Sequence, residues 1–201
     1  MLKIGITGGM GSGKSTVCNI FRNLGVPIFT ADDEGKRLLN EDPTTRKQVI
    51  EMFGRDMYTS EGLIDRKRMG QLVFNSPVDL EKLNGIIHPK VKQAFESWAE
   101  LHYQKPYVIK EAAILFETGY YQDLDKVVNV FAPREQRMQR IVKRDESSVE
   151  DVKRRMRFQF SDDERNELAD FIILNEDGMQ ENLLPQVMEL HEVFLSEHKK
   201  W

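Results

Sequence analysis

The most constraining stretch of the chain is GITGGMGSGKST, residues 5–16, where five glycines fall within the nine residues Gly5 to Gly13 and Lys14, Ser15 and Thr16 follow at once. The preceding LKIGIT (2–7) is short, apolar and rich in β-branched residues, which predicts a buried strand bounded by glycine. The following KSTVCNIFRNLG (14–25) sets Val17, Ile20, Phe21 and Leu24 at helical spacing, with Gly25 as a stop signal. Gly8, Gly13, Lys14 and Ser15 thus match G-x-x-x-x-G-K-[ST] between a strand and a helix, the context that gives the pattern a mechanism. Glycines let the backbone curl so that successive N–H groups point inward, the helix dipole adds positive character, and a lysine reaches the β and γ phosphates. The expected triphosphate cradle is Gly8, Gly11, Ser12, Gly13, Lys14, Ser15 and Thr16, with the Ser15 hydroxyl as a ligand to Mg²⁺. A dinucleotide fingerprint fails, because Lys14 or Thr16 stands where G-x-G-x-x-G needs its third glycine.

Beyond the loop, strands and helices alternate. VPIFT (26–30), YVIKEAAILF (107–116), KVVNVFA (126–132) and DFIIL (170–174) read as further strands. Helices are expected at 32–40, 134–145, 149–160 and 179–198, and a helical pattern runs from about 43 to 102 with breaks at FGRD, SEG, NSP and His88-Pro89. Such alternation implies an α/β fold with a mainly parallel sheet and helices on both faces, which binds ligands at the carboxyl edge.

Several function classes are excluded. A net charge of −4 over 201 residues gives no global attraction to nucleic acid or anionic membrane. No apolar run approaches the roughly 18 residues of a membrane span. The single cysteine, Cys18, excludes an intrachain disulfide and suits a reducing, cytoplasmic setting. No heptad seam or apolar patch indicates an oligomeric state. The D-x-x-G at Asp32 to Gly35 lacks the N-K-x-D that guanine recognition would add, so small-molecule kinases remain. In these an acid at the end of the second strand meets the acceptor hydroxyl, and Asp32 stands there as candidate base, with a helix N-cap as its structural alternative.

At this point the chain resembles the dephospho-coenzyme A kinase family. The likeness runs from IGITGGMGSGKST through TADDEGKRL, LNGIIHPKV (83–91), EAAILFETG (111–119), VVNVFAPREQRMQRIVKRD (127–145) and Arg155 to Gln159 to ADFIILNEDG (169–178). It implies a P-loop kinase fold, three α/β/α layers around a parallel five-stranded sheet, with ATP, Mg²⁺ and dephospho-CoA as reactants. The corresponding organisation is a core of 1–58, 104–133 and 168–201, a helical acceptor-binding insertion near 59–103 and a helical lid near 134–167. Asp32 matches the family's acid, and Lys14 and Arg140 complete the expected catalytic set. A second acid that members often carry two residues earlier is Thr30 here, which leaves Asp32 as the single candidate base.

Other segments carry paired readings. Arg137, Arg140 and Arg144 fall on one helix face, as a solvated row or, for Arg140 and Arg144, as family arginines closing on ATP phosphates. Asn175 lies near the expected adenine edge or forms a turn. Asn84, His88 and Glu117 are expected at the acceptor, with structural contacts as the alternative; Glu117 is placed at a strand's carboxyl end, near acceptor or Mg²⁺ water. Arg155 and Gln159 reach adenine or phosphate, or stay on the surface. Two rival functions share the donor loop: a kinase of another small acceptor, and a nucleotide-gated interaction protein that transfers nothing.

Overall fold

A computed structural model describes residues 1–178 and 180–199. Met179, where the closing helix was expected to begin, lies outside the described residues, as do positions 200 and 201 of the expected core. The chain divides into two compact units, Met1–Thr30 with Leu101–Trp201, and Ala31–Glu100.

In the first unit, among the described residues, the strands β1 (Leu2–Thr7), β2 (Ile28–Thr30), β3 (Tyr107–Glu111), β4 (Lys126–Phe131) and β5 (Phe171–Leu174) form one sheet in the order β2-β3-β1-β4-β5. Every pairing is parallel. The two-residue period of a strand sorts its faces. Leu2, Ile4 and Ile6 of β1, with Tyr107, Ile109, Val128, Val130 and Ile173, join one buried cluster. Covering that face are α1 (Lys14–Asn23), through Val17, Cys18 and Phe21, and α9 (Leu183–His198), through Leu183, Val187, Leu190 and Phe194. On the opposite face Gly5 lies under Leu115 and Leu124, either of which would stand 2.7 Å from a Cβ there. Asn129 on that face donates at 2.6 Å to Asn166 of α8 (Asp162–Leu168). The expected α/β architecture with a five-stranded parallel sheet and flanking helices is therefore present. The first unit also contains α6 (Arg134–Asp145) and α7 (Val149–Met156), the latter four residues shorter than the expected 149–160.

The apolar run 107–116 is a strand only as far as Glu111. Its partner β1 reaches Ile6 opposite Glu111 and then turns into the glycine loop, so the bond from Ala112 N to the Ile6 carbonyl, 3.1 Å, closes the ladder. The AAILF segment instead folds back, with Leu115 and Phe116 buried. Glu117 accordingly lies six residues past the strand, not at its end.

The second unit is helical: α2 (Ala31–Glu41), α3 (Pro43–Phe53), α4 (Arg66–Asn75) and α5 (Pro77–Glu100), with a 3-10 turn at Arg55–Met57. It begins at Ala31, well before the expected boundary near 59. Leu39 of α2 and Val49, Ile50 and Phe53 of α3 share one core with Tyr58, Ile64, Met69, Leu83 and Ile86, so the first two helices belong to it. Hydrogen bonds from Tyr58 Oη to the Leu39 carbonyl, 2.9 Å, and from Ile64 N to Asn40 Oδ1, 2.9 Å, seal the same join. Pro89 was expected to break the helical run, yet α5 continues through it. An interior proline costs about 3 kcal/mol. The buried row Leu83, Ile86, Val91, Phe95 and Ala99 on both sides of Pro89 offsets that cost.

Candidate active site

The glycine loop joins β1 to α1 with the backbone bent beyond what most side chains permit. Gly13 precedes α1 at φ 94°, ψ 23°, and a Cβ there would stand 2.0 Å from Asn175 Nδ2. A Cβ on Gly8 would stand 2.4 Å from the Val130 carbonyl oxygen. Among the described residues no side chain caps α1, so the amino end of this helix carries its dipole without a capping carboxylate or hydroxyl from them. Lys14 bends back across the loop and its Nζ donates to the Gly8 carbonyl at 2.9 Å. Ser12 is buried with its Oγ lacking a hydrogen-bond partner among the described residues, while Ser15 and Thr16 stand exposed in the first turn of α1. The donor set is that of an anion cradle: a lysine ammonium, a helix amino end and hydroxyls at its rim.

Two of the expected remote residues, Asn175 and Arg140, donate to carbonyls of this loop. Asn175, buried just after β5, donates from Nδ2 to the Ser12 carbonyl at 2.7 Å. Arg140 donates from Nη2 to the Asn175 carbonyl at 2.9 Å and to Asp177 Oδ1 at 2.6 Å, and from Nη1 to the Gly11 carbonyl at 3.3 Å. Beside them opens a cavity of about 340 Å³ lined by Gly11, Gly13, Thr16, Ile20, Arg140, Asn175, Leu183 and Leu184. It joins an apolar wall to a guanidinium plane at the end of the phosphate loop, a fit for a flat heteroaromatic base. Ile20, Leu183, Leu184 and Asp177 were missed in the sequence, where the apolar ones carry only the helical periodicity of core positions.

The other expected remote residues stand outside the lining of that cavity. Arg144 pairs with Asp145 at 2.6 Å, does not line the cavity, and is held more firmly protonated by that hydrogen bond. Arg155 reaches the same carboxylate at 3.2 Å, and the two arginines hold Asp145 below the usual carboxylate range, Arg144 foremost. Arg137 is no solvated side chain: it is buried against Asp162 and the Ala132 carbonyl. Gln159 accepts from the loop amide of Met10 at 2.9 Å and donates to the Ala113 carbonyl at 3.0 Å. Glu117 Oε1 accepts from Phe160 N at 2.8 Å, which ties it to the chain after α7. Asp170 accepts from Val127 N at 2.8 Å, a structural strand contact.

Asp32, Asn84 and His88 belong to the helical unit. Asp32 is exposed at the second position of α2, inside the helix, so the cap is not its role. The chain leaves the carboxyl end of β2 at Thr30, two residues earlier. Asn84 and His88 are half-buried one turn apart on α5. The helices α2 and α5 cross at Gly35, where a Cβ would meet Ile87 at 3.5 Å. A separate cavity of about 420 Å³ in this unit is lined by Arg37, Thr44, Lys90, Gln93 and Ser97 among others, and by neither Asn84 nor His88.

The family model for dephospho-CoA kinase matches residues 2–181. The chain belongs to the dephospho-CoA kinase family. A dephospho-CoA kinase of Bacteroides fragilis strain YCH46 is 40% identical over 189 residues, covering 94% of this chain and 91% of its own. One from Chlorobaculum tepidum is 38% identical over 201 residues, covering 97% and 96%. Among solved structures, a Thermus thermophilus protein superposes with a TM-score of 0.80 at 30% identity, covering 96% of each chain. The dephospho-CoA kinase of Campylobacter jejuni gives 0.70 at 26% identity, covering 97% and 98%. A shikimate kinase from Acinetobacter baumannii, at 21% identity and a TM-score of 0.52, shares the fold. The family thus accounts for both units, since the match spans nearly the whole length.

Proposed function

We propose that this chain transfers the γ-phosphate of ATP to the ribose 3′-hydroxyl of dephospho-CoA, giving CoA and ADP. The observation that carries this reading is the uncapped amino end of α1 with Lys14 folded over Gly8, in a chain that shares its length with the dephospho-CoA kinases. Lys14 and the loop amides of Gly11, Ser12 and Gly13 hold the β and γ phosphates, with Thr16 at the entry to the base cavity. Arg140 covers the base, and Asn175 fixes the loop beneath it. The exposed Ser15 hydroxyl, with phosphate oxygens, suits Mg²⁺, which prefers few protein ligands. When bound, that ion supplies charge neutralisation on the phosphate oxygens.

Asp32 accepts the proton of the 3′-hydroxyl as its oxygen bonds to the γ phosphorus and the bond to the β–γ bridging oxygen breaks, releasing ADP. Asn84, His88 and Glu117 bind the acceptor. Helices α6 and α7 form a lid, with Arg144 free to exchange Asp145 for phosphate oxygens on closure, and exclude water that would otherwise take the phosphoryl group. The test is a coupled assay with ATP, Mg²⁺ and dephospho-CoA: equal amounts of ADP and CoA are expected. Nucleotide binding without acceptor-dependent ADP release would overturn the reading.

A further inference from the structure

The phosphate-loop pattern leaves residue 9 open, yet this chain has glycine there. Conformation does not demand it, since Gly9 is not among the glycines at positive φ. Space does. A Cβ on Gly9 would stand 2.0 Å from Arg137 Nη1, 2.7 Å from its Cζ and 3.0 Å from Arg165 Nη2. Two guanidiniums, from α6 and α8, therefore press on one backbone position of the phosphate loop.

Both arginines are deeply buried, Arg137 at 4% and Arg165 at 2% exposure. Arg137 donates from Nε to the Ala132 carbonyl at 2.9 Å and from Nη2 to both oxygens of Asp162, at 2.9 and 2.7 Å. Arg165 donates from Nη2 to Asp162 Oδ1 and from Nη1 to the Phe160 carbonyl. One carboxylate shared by two guanidiniums leaves a buried surplus of positive charge beside Gly9. Stability alone gives no reason for that: burying like charges is costly, and apolar residues of similar volume would serve as well or better. A polyanion held by the loop does give a reason, because charge in a poorly solvated setting acts strongly over short range. The next residue is held from the same quarter, through the bond from Met10 N to Gln159.

We propose that Arg137 and Arg165, joined by Asp162, are positioning residues that fix the phosphate loop at Gly9 and raise its affinity for the nucleotide's phosphates, acting through the loop backbone. The proposal rests on the nucleotide reading of the loop, but not on which acceptor is used. It is tested by a double-mutant cycle on ATP affinity, measured by calorimetry without acceptor, in Gly9→Ala, Arg137→Ala and the pair, with Arg165→Met and Arg165→Lys alongside.

Gly9→Ala is expected to weaken ATP binding at least tenfold, and much less when Arg137 is already alanine, because the 2.0 Å conflict is then gone and only the 3.0 Å approach of Arg165 remains. Arg165→Met is expected to weaken ATP binding about tenfold with the KM for dephospho-CoA unchanged, and Arg165→Lys to recover part of the loss. Thermal melts restrict the comparison to folded variants; should Gly9→Ala fail to fold, the Arg165 pair decides. Additive effects in the cycle, or ATP affinity within twofold of wild type in folded Arg165→Met, would overturn the proposal. A wild-type chain that binds ATP but forms no CoA would instead remove the kinase reading and leave this one standing.

Discussion

Asn175 Nδ2 donates to the Ser12 carbonyl at 2.7 Å, so the end of the last strand is tied to the phosphate loop 163 residues earlier in the chain. The same nitrogen fills the space that a side chain on residue 13 would take. Replacing Asn175 by Asp removes the donor and sets a carboxylate against a loop built for anions. Loss of a buried hydrogen bond costs about 1–3 kcal/mol, so ATP affinity should fall by roughly tenfold to a hundredfold. Calorimetric titration checks this; unchanged affinity in a folded Asp variant would show that the tie does not shape the loop.

Asp32 follows the carboxyl end of β2 by two residues and is exposed on the first turn of α2. As the single candidate base it predicts a split in kinetic effects. Asp32→Asn should keep ATP affinity and lower turnover by about 10²-fold or more, whereas Lys14→Ala should damage both. Near wild-type turnover in Asp32→Asn would remove the aspartate from its role.

The phosphate loop, the strand before it and the helix after it were legible because glycine, lysine and period-2 and period-3.6 patterns act locally. The resemblance drew notice to Asn175 and Arg140, but their partners left no trace: a bond from residue 175 to the Ser12 carbonyl leaves no mark in spacing. Arg137 and Arg165 were misread or missed because a basic residue on a helix face is usually solvated, and only the tertiary contact with Gly9 and Asp162 makes these two different. The overlong third strand came from apolar residues that are buried by folding back rather than by pairing. Pro89 misled in the opposite sense, since burial on both sides of it outweighed a strong local signal.

Cys18 is buried on α1, and burial, helped by the charge of Glu111 and opposed by Lys14 and Arg22, pushes its thiol up to about 12. At pH 8 the thiolate fraction is then on the order of one part in ten thousand, far below that of a free thiol. Iodoacetamide should leave the native protein unlabelled over hours and modify Cys18 promptly in denaturant, as followed by mass spectrometry. Native labelling at the rate of a model peptide would contradict the buried setting.

Asp42 caps α3, where Oδ2 accepts from Thr45 N at 2.7 Å, Thr45 Oγ1 at 2.5 Å and Lys90 Nζ at 2.6 Å. The Lys90 contact first, then Thr45, holds its carboxyl well below the usual range. A group whose folded value lies below its unfolded value of about 4 binds fewer protons when folded, so its stabilising contribution is complete above that value. It is lost as pH falls from about 4 toward the depressed folded value. Asp42→Asn preserves the cap, since the two residues cap comparably, but deletes the titration and the ion pair. Urea midpoints measured from pH 7 to pH 3 should therefore fall less steeply at the acidic end in the Asn variant than in wild type. Asp42→Ala should lose about 1 kcal/mol at pH 7 from the missing cap alone. Parallel pH profiles for wild type and Asp42→Asn would show that the Lys90 contact contributes nothing to folding.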